Sequence, residues 1–421
     1  MSSPSPFGGG NPLEHLLGDL LKLISNAGPV QWDLARQLAH AVATDGVPEP
    51  NVDPVERIRL EELVRVADLH VSDATGMATS TTGGLVTVRP VGRSEWAWRT
   101  LDAWRPLLES LATALSRGPA PRSGHQGHPS TDPGRGPDLG PDLGPGLDPD
   151  LGRPEPGDLA GFLGSIGQVM GPTLLGLQVG SALGHLARRA MGPYVLPVPR
   201  PPSDELLLVP ANIAQFAEDW SLPLDEVRLW VCLSELTHHA VLGRPHVRSR
   251  LEDLIGRYVS GFQPDTSALE ERMTGIDPTD PAALQAALGD PTALLGELET
   301  PEQRQVVSQL EALVVALEGY TDRIMDLVGH RLIPAYPSLT EALRRRRVER
   351  DEGERMVEQL FGLELSQARF DRGTAFVRGV VERAGDDGLQ RLWESATTLP
   401  TTAEVDAPGL WLARISLPDD G

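Results

Sequence analysis

The sequence predicts a mainly α-helical protein, and three observations predict it. Apolar residues recur at helical spacing through most of the 421 positions. Strand-type alternation is confined to one short stretch, TSTTGGLVTVRPV at 79–91. The residues that break helices are concentrated: of 44 Gly and 38 Pro, ten of each fall within 118–157.

Residues 1–30 read as a flexible tail carrying one short helix. The opening MSSPSPFGGG lacks the basic and apolar regions of a signal peptide, so a cytoplasmic protein is expected. The helix, PLEHLLGDLLKLIS at 12–25, gathers Leu13, Leu16, Leu17, Leu20, Leu21 and Ile24 on one side. A second helix is expected over 31–45. A third, over 53–75, opens on Asp53 and Pro54, with Ile58, Leu63, Val66 and Leu69 along one side. The stretch at 79–91 reads as a short strand or hairpin arm, and 94–115 as a further helix. These elements form the N-terminal helical part, 31–117.

Residues 118–157 contain the degenerate repeat PDLGPDLGPGLDPDLG (137–152). Proline removes donors and glycine maximises chain entropy, so a disordered insert is expected here. The main helical part follows at 158–416.

Its first segment, 159–184, has no formal charge and spaces Gly176, Gly180 and Gly184 by four. That spacing suits a buried helix whose glycines let another backbone approach; it also suits a membrane-associated segment or an oligomer contact. Gln168, Gln178 and Pro172 lower its hydrophobicity, and no transmembrane span is expected. Residues 204–219, 225–242 and 247–261 read as helices, and 265–298 as short helices with Asp-Pro starts. Residues 300–332 read as one long helix with Thr300 as N-cap, Pro301 in the first turn and Pro334 just past its end. Helices near 338–360 and 373–397 complete the chain.

Charge and composition exclude several functions. Lys plus Arg number 37 against 59 Asp plus Glu, a net charge of −22, which argues against a nucleic-acid partner. The arginines at 344–347, with Arg350, stand among Glu341, Glu349 and Asp351 and read as a solvated helix face. The single cysteine, Cys232, excludes an internal disulfide and a multi-cysteine metal site. The single lysine, Lys22, has no Gly-rich loop around it and so makes no phosphate-binding motif.

Chemistry concentrates in 225–242, DEVRLWVCLSELTHHAVL. Val227, Val231, Glu235, His238 and Leu242 share one face, and apolar residues cover most of the rest, so the helix should be buried. A buried Glu and His need partners: they could be a satisfied core pair or part of a metal site. A zincin helix reads H-E-x-x-H, with two histidines one turn apart and a glutamate that activates water. Here the letters are SELTHH: Ser234 stands at the first ligand position, Glu235 and His238 fit, and His239 follows. In the long helix Glu318, Asp322, Asp326 and His330 form an i, i+4 column. Either Arg323 and Arg331 neutralise it, or Glu318 faces inward and completes a metal shell.

Several blocks carry a family resemblance: WDLARQLA (32–39), SEWAWRTLDAWRPLLESL (94–111), GLQVGSALGHLARRAMGPYVLPVP (176–199), LPLDEVRLWVCLSELTHHAVL (222–242), LEGYTDRIMD (317–326) and FGLELSQARFDRGTAFVRGVV with GLQRLWESATTLPT (361–401). Together they resemble the actinobacterial zincin-like metallopeptidase type 2 family. The resemblance implies a large zincin-like helical domain holding zinc and acting on a peptide or amide substrate. It implies Glu235 as general base, His238 as second ligand and Glu318 as third. Ser234 departs from the pattern; an E-x-x-H-H branch would let His239 substitute, with Ser234 and Asp322 around the ligands. The other implied reading is a catalytically inactive relative that serves as a binding or assembly module.

Overall fold

In the computed structural model, residues 30–116, 173, 175–262, 300–349 and 352–417 are described. The expected helix at 12–25, the insert at 118–157, most of 159–174 and the short helices at 265–298 lie outside them.

Local signals set most helix starts. The Asp53 side chain accepts from Val55 N at 2.9 Å and opens α2, Pro54–Thr75, behind α1, Trp32–Thr44. Strand β1, Thr87–Pro90, leads to α3, Arg93–Ser116. Beyond the undescribed stretch, α4 covers residues 175–187. Strand β2, Glu205–Leu208, precedes α5, Pro210–Asp219, then α6, Leu224–Leu242, and α7, Pro245–Ser260. Thr300 and Gln303 exchange hydrogen bonds in a capping box that starts α8, Pro301–Leu332. The remainder comprises α9 (Tyr336–Val348), α10 (Glu352–Leu360), α11 (Gln367–Gln390), α12 (Thr402–Asp406) and α13 (Pro408–Ile415).

The fold is mainly α, as expected, with one two-stranded parallel sheet among the described residues. Helix α6 lies at its centre, packed by α2, α5, α7 and α8, and is buried from Val231 to Leu242. Helix α8 packs in turn along α11, where Gly319 meets Gly373 so closely that neither has room for a Cβ. The glycines of α4 do the same work: Gly176, Gly180 and Gly184 lie against Gln31, Ala35 and Val42 on and beside α1. These three glycines are therefore spent on contacts inside the chain. Among the described residues no helix is long and apolar enough to cross a membrane.

Five sequence expectations need correction. Residues 204–219 are not one helix: Glu205–Leu208 pair in parallel with Thr87–Pro90, in the register Thr87↔Glu205 to Pro90↔Leu208. An apolar run this short does not reveal its own period, and Pro210 biases Val209 towards extended backbone. The partner strand lies far upstream, so 79–91 is not a hairpin arm either. On α2 the buried face is Leu60, Val64, Ala67 and Val71, whereas Ile58, Val66 and Leu69 are exposed. Small Ala67 hides the true stripe from a reading based on bulk. Last, α11 starts at Gln367, breaks at Gly385 with φ 68°, and gives way to 3-10 turns, Arg391–Trp393 and Ala396–Thr398, while 338–360 divides into α9 and α10.

Candidate metal centre

Helix α6 turns Glu235 and His238 into the interior, and α8 turns Glu318 toward them; the three are 8%, 6% and 8% exposed. At this burial every polar atom needs a partner or a ligand. His238 Nδ1 stands 2.9 Å from the Ser234 carbonyl, so it carries the proton and donates it. Nε2 is thereby aimed at Glu318, 3.3 Å from Oε1. A charge-assisted hydrogen bond is usually shorter, about 2.7–2.9 Å. Two ligand atoms on one tetrahedral zinc, each about 2.05 Å from it, stand about 3.3 Å apart. A metal-bound imidazole ordinarily donates its other N–H to a carbonyl or carboxylate, as His238 does here. Burial by itself would lower the His238 pKa, but the Glu318 carboxylate outweighs it and raises the pKa.

Glu235 is held separately. Tyr194 N–H donates to its Oε2 at 2.9 Å, and Gly192 lies against the carboxyl so closely that a Cβ would collide with it. Trp96 Nε1 fixes this loop by donating to the Gly192 carbonyl at 3.0 Å. Burial pushes the Glu235 carboxyl up to about 7, against the opposing pull of His238, the Tyr194 N–H and Arg200.

His239 points elsewhere. Its Nδ1 is 2.6 Å from the Tyr194 hydroxyl, and its Nε2 is 3.8 Å from Asp204 Oδ1. Asp204 is itself clamped: Ser80 Oγ (2.9 Å), Thr81 N (2.5 Å), Thr81 Oγ1 (2.7 Å), Thr82 N (3.1 Å) and Thr82 Oγ1 all donate to it. Burial raises the Asp204 pKa, but these hydrogen bonds more than offset that and hold the carboxyl well below its usual range. Burial lowers the His239 pKa, against the attraction of Asp204.

The structure thus brings His238 and Glu318 together, sets Glu235 beside them and keeps His239 apart. Ser234 contributes its carbonyl. Asp322 does not reach His238; it pairs with Arg347 at 2.9 Å, and the Arg347 guanidinium lies 3.8 Å from the Phe370 ring centroid, within electrostatic reach of Glu318. The carboxylate column is therefore not neutralised as expected: Arg323 is drawn to Asp386, and Arg347 from α9 takes its place. The 344–347 run is a solvated face only at Arg344 and Arg345, which pair with Glu341; Arg346 donates to the Arg189 carbonyl and lies over Phe216. Farther along α8, Asp326 accepts from Tyr336 OH at 2.9 Å and His330 packs edge-on against the same ring.

Tyr194, Arg200 and Asp204 carry no sequence motif. The Pro-rich run around them, GPYVLPVPRPP at 192–202, signals only extended backbone.

His238 and Glu318 suit a zinc ion as two of its ligands. Among the described residues no group of three His, Cys, Asp or Glu side chains is placed to hold a metal. The family model described as zincin-like metallopeptidase matches residues 30–412. A crystal structure of a Chloroflexus aurantiacus protein with a novel fold, whose hydrolase label is provisional, superposes with a TM-score of 0.58. It is 23% identical and covers 92% of this chain and 99% of its own, a likeness of fold. No curated protein matches the chain.

Proposed function

The chain belongs to the zincin-like metallopeptidase family, and from that premise we propose that it is a zinc-dependent metallohydrolase of peptide or other amide bonds. His238 and Glu318 would be its protein ligands and Glu235 its base. The observation that carries this reading is the 3.3 Å approach of His238 Nε2 to Glu318 Oε1, with Nδ1 committed to the Ser234 carbonyl. Zinc bound there would lower the pKa of a water toward about 7 and polarise the substrate carbonyl.

The chain's own residues supply the proton handling. Glu235 takes a proton from the attacking water and returns it to the departing nitrogen, so that the carbonyl carbon gains oxygen as the C–N bond breaks. The products are a carboxylic acid and an amine. A carboxyl near neutral pKa suits both transfers. The Tyr194 N–H keeps the carboxylate in place throughout. Asp322 acts at a distance, by holding Arg347 near Glu318.

Ser234 makes this an E-x-x-H-H variant with two protein ligands, and serine binds zinc poorly at neutral pH. Ser234 at the first ligand position supports a second reading, in which the chain is an inactive relative that acts as a binding or assembly module. Elemental analysis of the purified protein separates the two. Near-stoichiometric zinc, lost in His238→Ala and in Glu318→Ala, is expected. Zinc that is sparse and unchanged by either substitution leaves the binding module. Ser234→His should tighten zinc, and no gain would mean that the ligand pair is misassigned.

A further inference from the structure

The loop that wraps Glu235 ends at an arginine with no acid to answer it. Arg200 lies beside two indoles, its Cζ 5.9 Å from the ring centroids of Trp96 and of Trp104. Its Nη2 donates to Thr100 Oγ1 at 2.7 Å, while its Nε is buried with no acceptor. Trp104 Nε1 is another buried donor without an acceptor. Other interior arginines are treated differently: Arg228 meets Glu56 and Asp225, and Arg347 meets Asp322. Among the described residues no carboxylate pairs with Arg200.

A guanidinium does not escape this position by losing its proton, and a buried donor left unpaired is costly. Burial lowers the Arg200 pKa to about 10, while the nearby Tyr194 and Glu235 act to raise it. The location gives the donors a use. Trp96 lies beside Arg200 and also holds the Gly192 carbonyl, and Gly192 abuts the Glu235 carboxyl. Arg200, Trp96, Gly192 and Glu235 are thus linked contact by contact. Arg200 is half-buried as a residue although its Nε is enclosed, and its guanidinium lies within electrostatic reach of Glu235.

We propose that Arg200 is the receptor for a carboxylate on the substrate, so that the amide bonds cut are those near a free C-terminal carboxylate. The guanidinium would then donate to the carboxylate, with Thr100 fixing it and the two indoles excluding water. This rests on the hydrolase reading for the bond cut, but the carboxylate site itself is measurable without turnover.

The test is binding, by titration calorimetry, of N-acetylglycine, N-acetyl-L-leucine and N-acetyl-L-phenylalanine, each beside its uncharged amide. The wild-type protein is expected to bind at least one acid about tenfold or more tighter than its amide, as a charge-assisted hydrogen bond implies. Arg200→Gln should erase that preference, and Thr100→Val, which keeps the side-chain shape, should reduce it. Equal binding of acid and amide, or no binding of any acid, overturns the proposal from the wild-type protein alone, even if Arg200→Gln does not fold. A preference that survives in folded Arg200→Gln also overturns it. Zinc content is read separately: protein without zinc that still prefers acids keeps the carboxylate site and loses the hydrolase.

Discussion

The Tyr194 hydroxyl stands 2.6 Å from His239 Nδ1, while the Tyr194 main-chain N–H holds Glu235 Oε2 at 2.9 Å. One residue of a connecting loop thus anchors Glu235 and engages the second histidine of the pair. Adjacent residues on a helix diverge by about 100°, so His238 and His239 need different partners. His239→Ala is expected to leave zinc content unchanged where His238→Ala removes it. Equal loss in both, measured by elemental analysis, would place His239 in the ligand shell.

Gly192→Ala should disable Glu235 without replacing it. The added Cβ falls on the Glu235 carboxyl, so either the loop or the carboxylate must move. Overpacking of this kind costs about 1–3 kcal/mol. The expected result is a modest fall in thermal midpoint with a much larger fall in kcat.

Glu235 must be ionised to take a proton. Burial raises its carboxyl to about 7, so it is protonated below that pH and charged above it. Hydrolysis should therefore climb as pH rises through about 7, and Glu235→Gln should remove both the activity and the climb. A rate already flat from pH 5 upward would contradict the assignment.

Acid should destabilise the fold through Asp204 and Glu404. Burial raises both carboxyls, but hydrogen bonds outweigh it: from Thr82, Thr81 and Ser80 for Asp204, and from Arg414 and Thr401 for Glu404. Both folded pKa values therefore lie below the unfolded ones, which are about 4. Their contribution is fully present above the unfolded pKa and drains away as pH falls through the folded pKa. Thermal midpoints should fall between pH 5 and pH 2, and Thr82→Val should flatten part of that slope.

The α8–α11 crossing should tolerate no side chain. A Cβ on Gly373 meets the Val315 carbonyl and the Gly319 backbone, which cannot swing aside as a flexible side chain would. Gly373→Ala is expected to cost about 1–3 kcal/mol and, because Glu318 adjoins the crossing, to weaken zinc binding as well. A thermal midpoint within a degree of wild type would show that the helices can part.

Local signals made much of the helical frame legible. Thr300, Gln303 and Pro301 define the start of α8 through a cap that closes within four residues, and Asp53 with Pro54 does so for α2. The burial of α6 followed from apolar residues on every side of it. Bulk misled on α2, where Ala67 and not Val66 faces the core. The candidate site was half legible. Glu235, His238 and Glu318 could be named from spacing and resemblance, but Tyr194, Asp204 and Arg200 belong to a stretch whose prolines describe only an extended backbone.

By itself the sequence determined the helical class, the caps and the placing of Glu235 and His238 on one buried helix, because these depend on residues within a few positions of one another. Only the tertiary structure decided that 205–208 is a strand, that His238 meets Glu318 eighty residues away, that His239 is claimed by Tyr194 and Asp204, and that Arg200 is left without an acid. Each of those is a contact between distant segments, and its geometry is set by how helices pack.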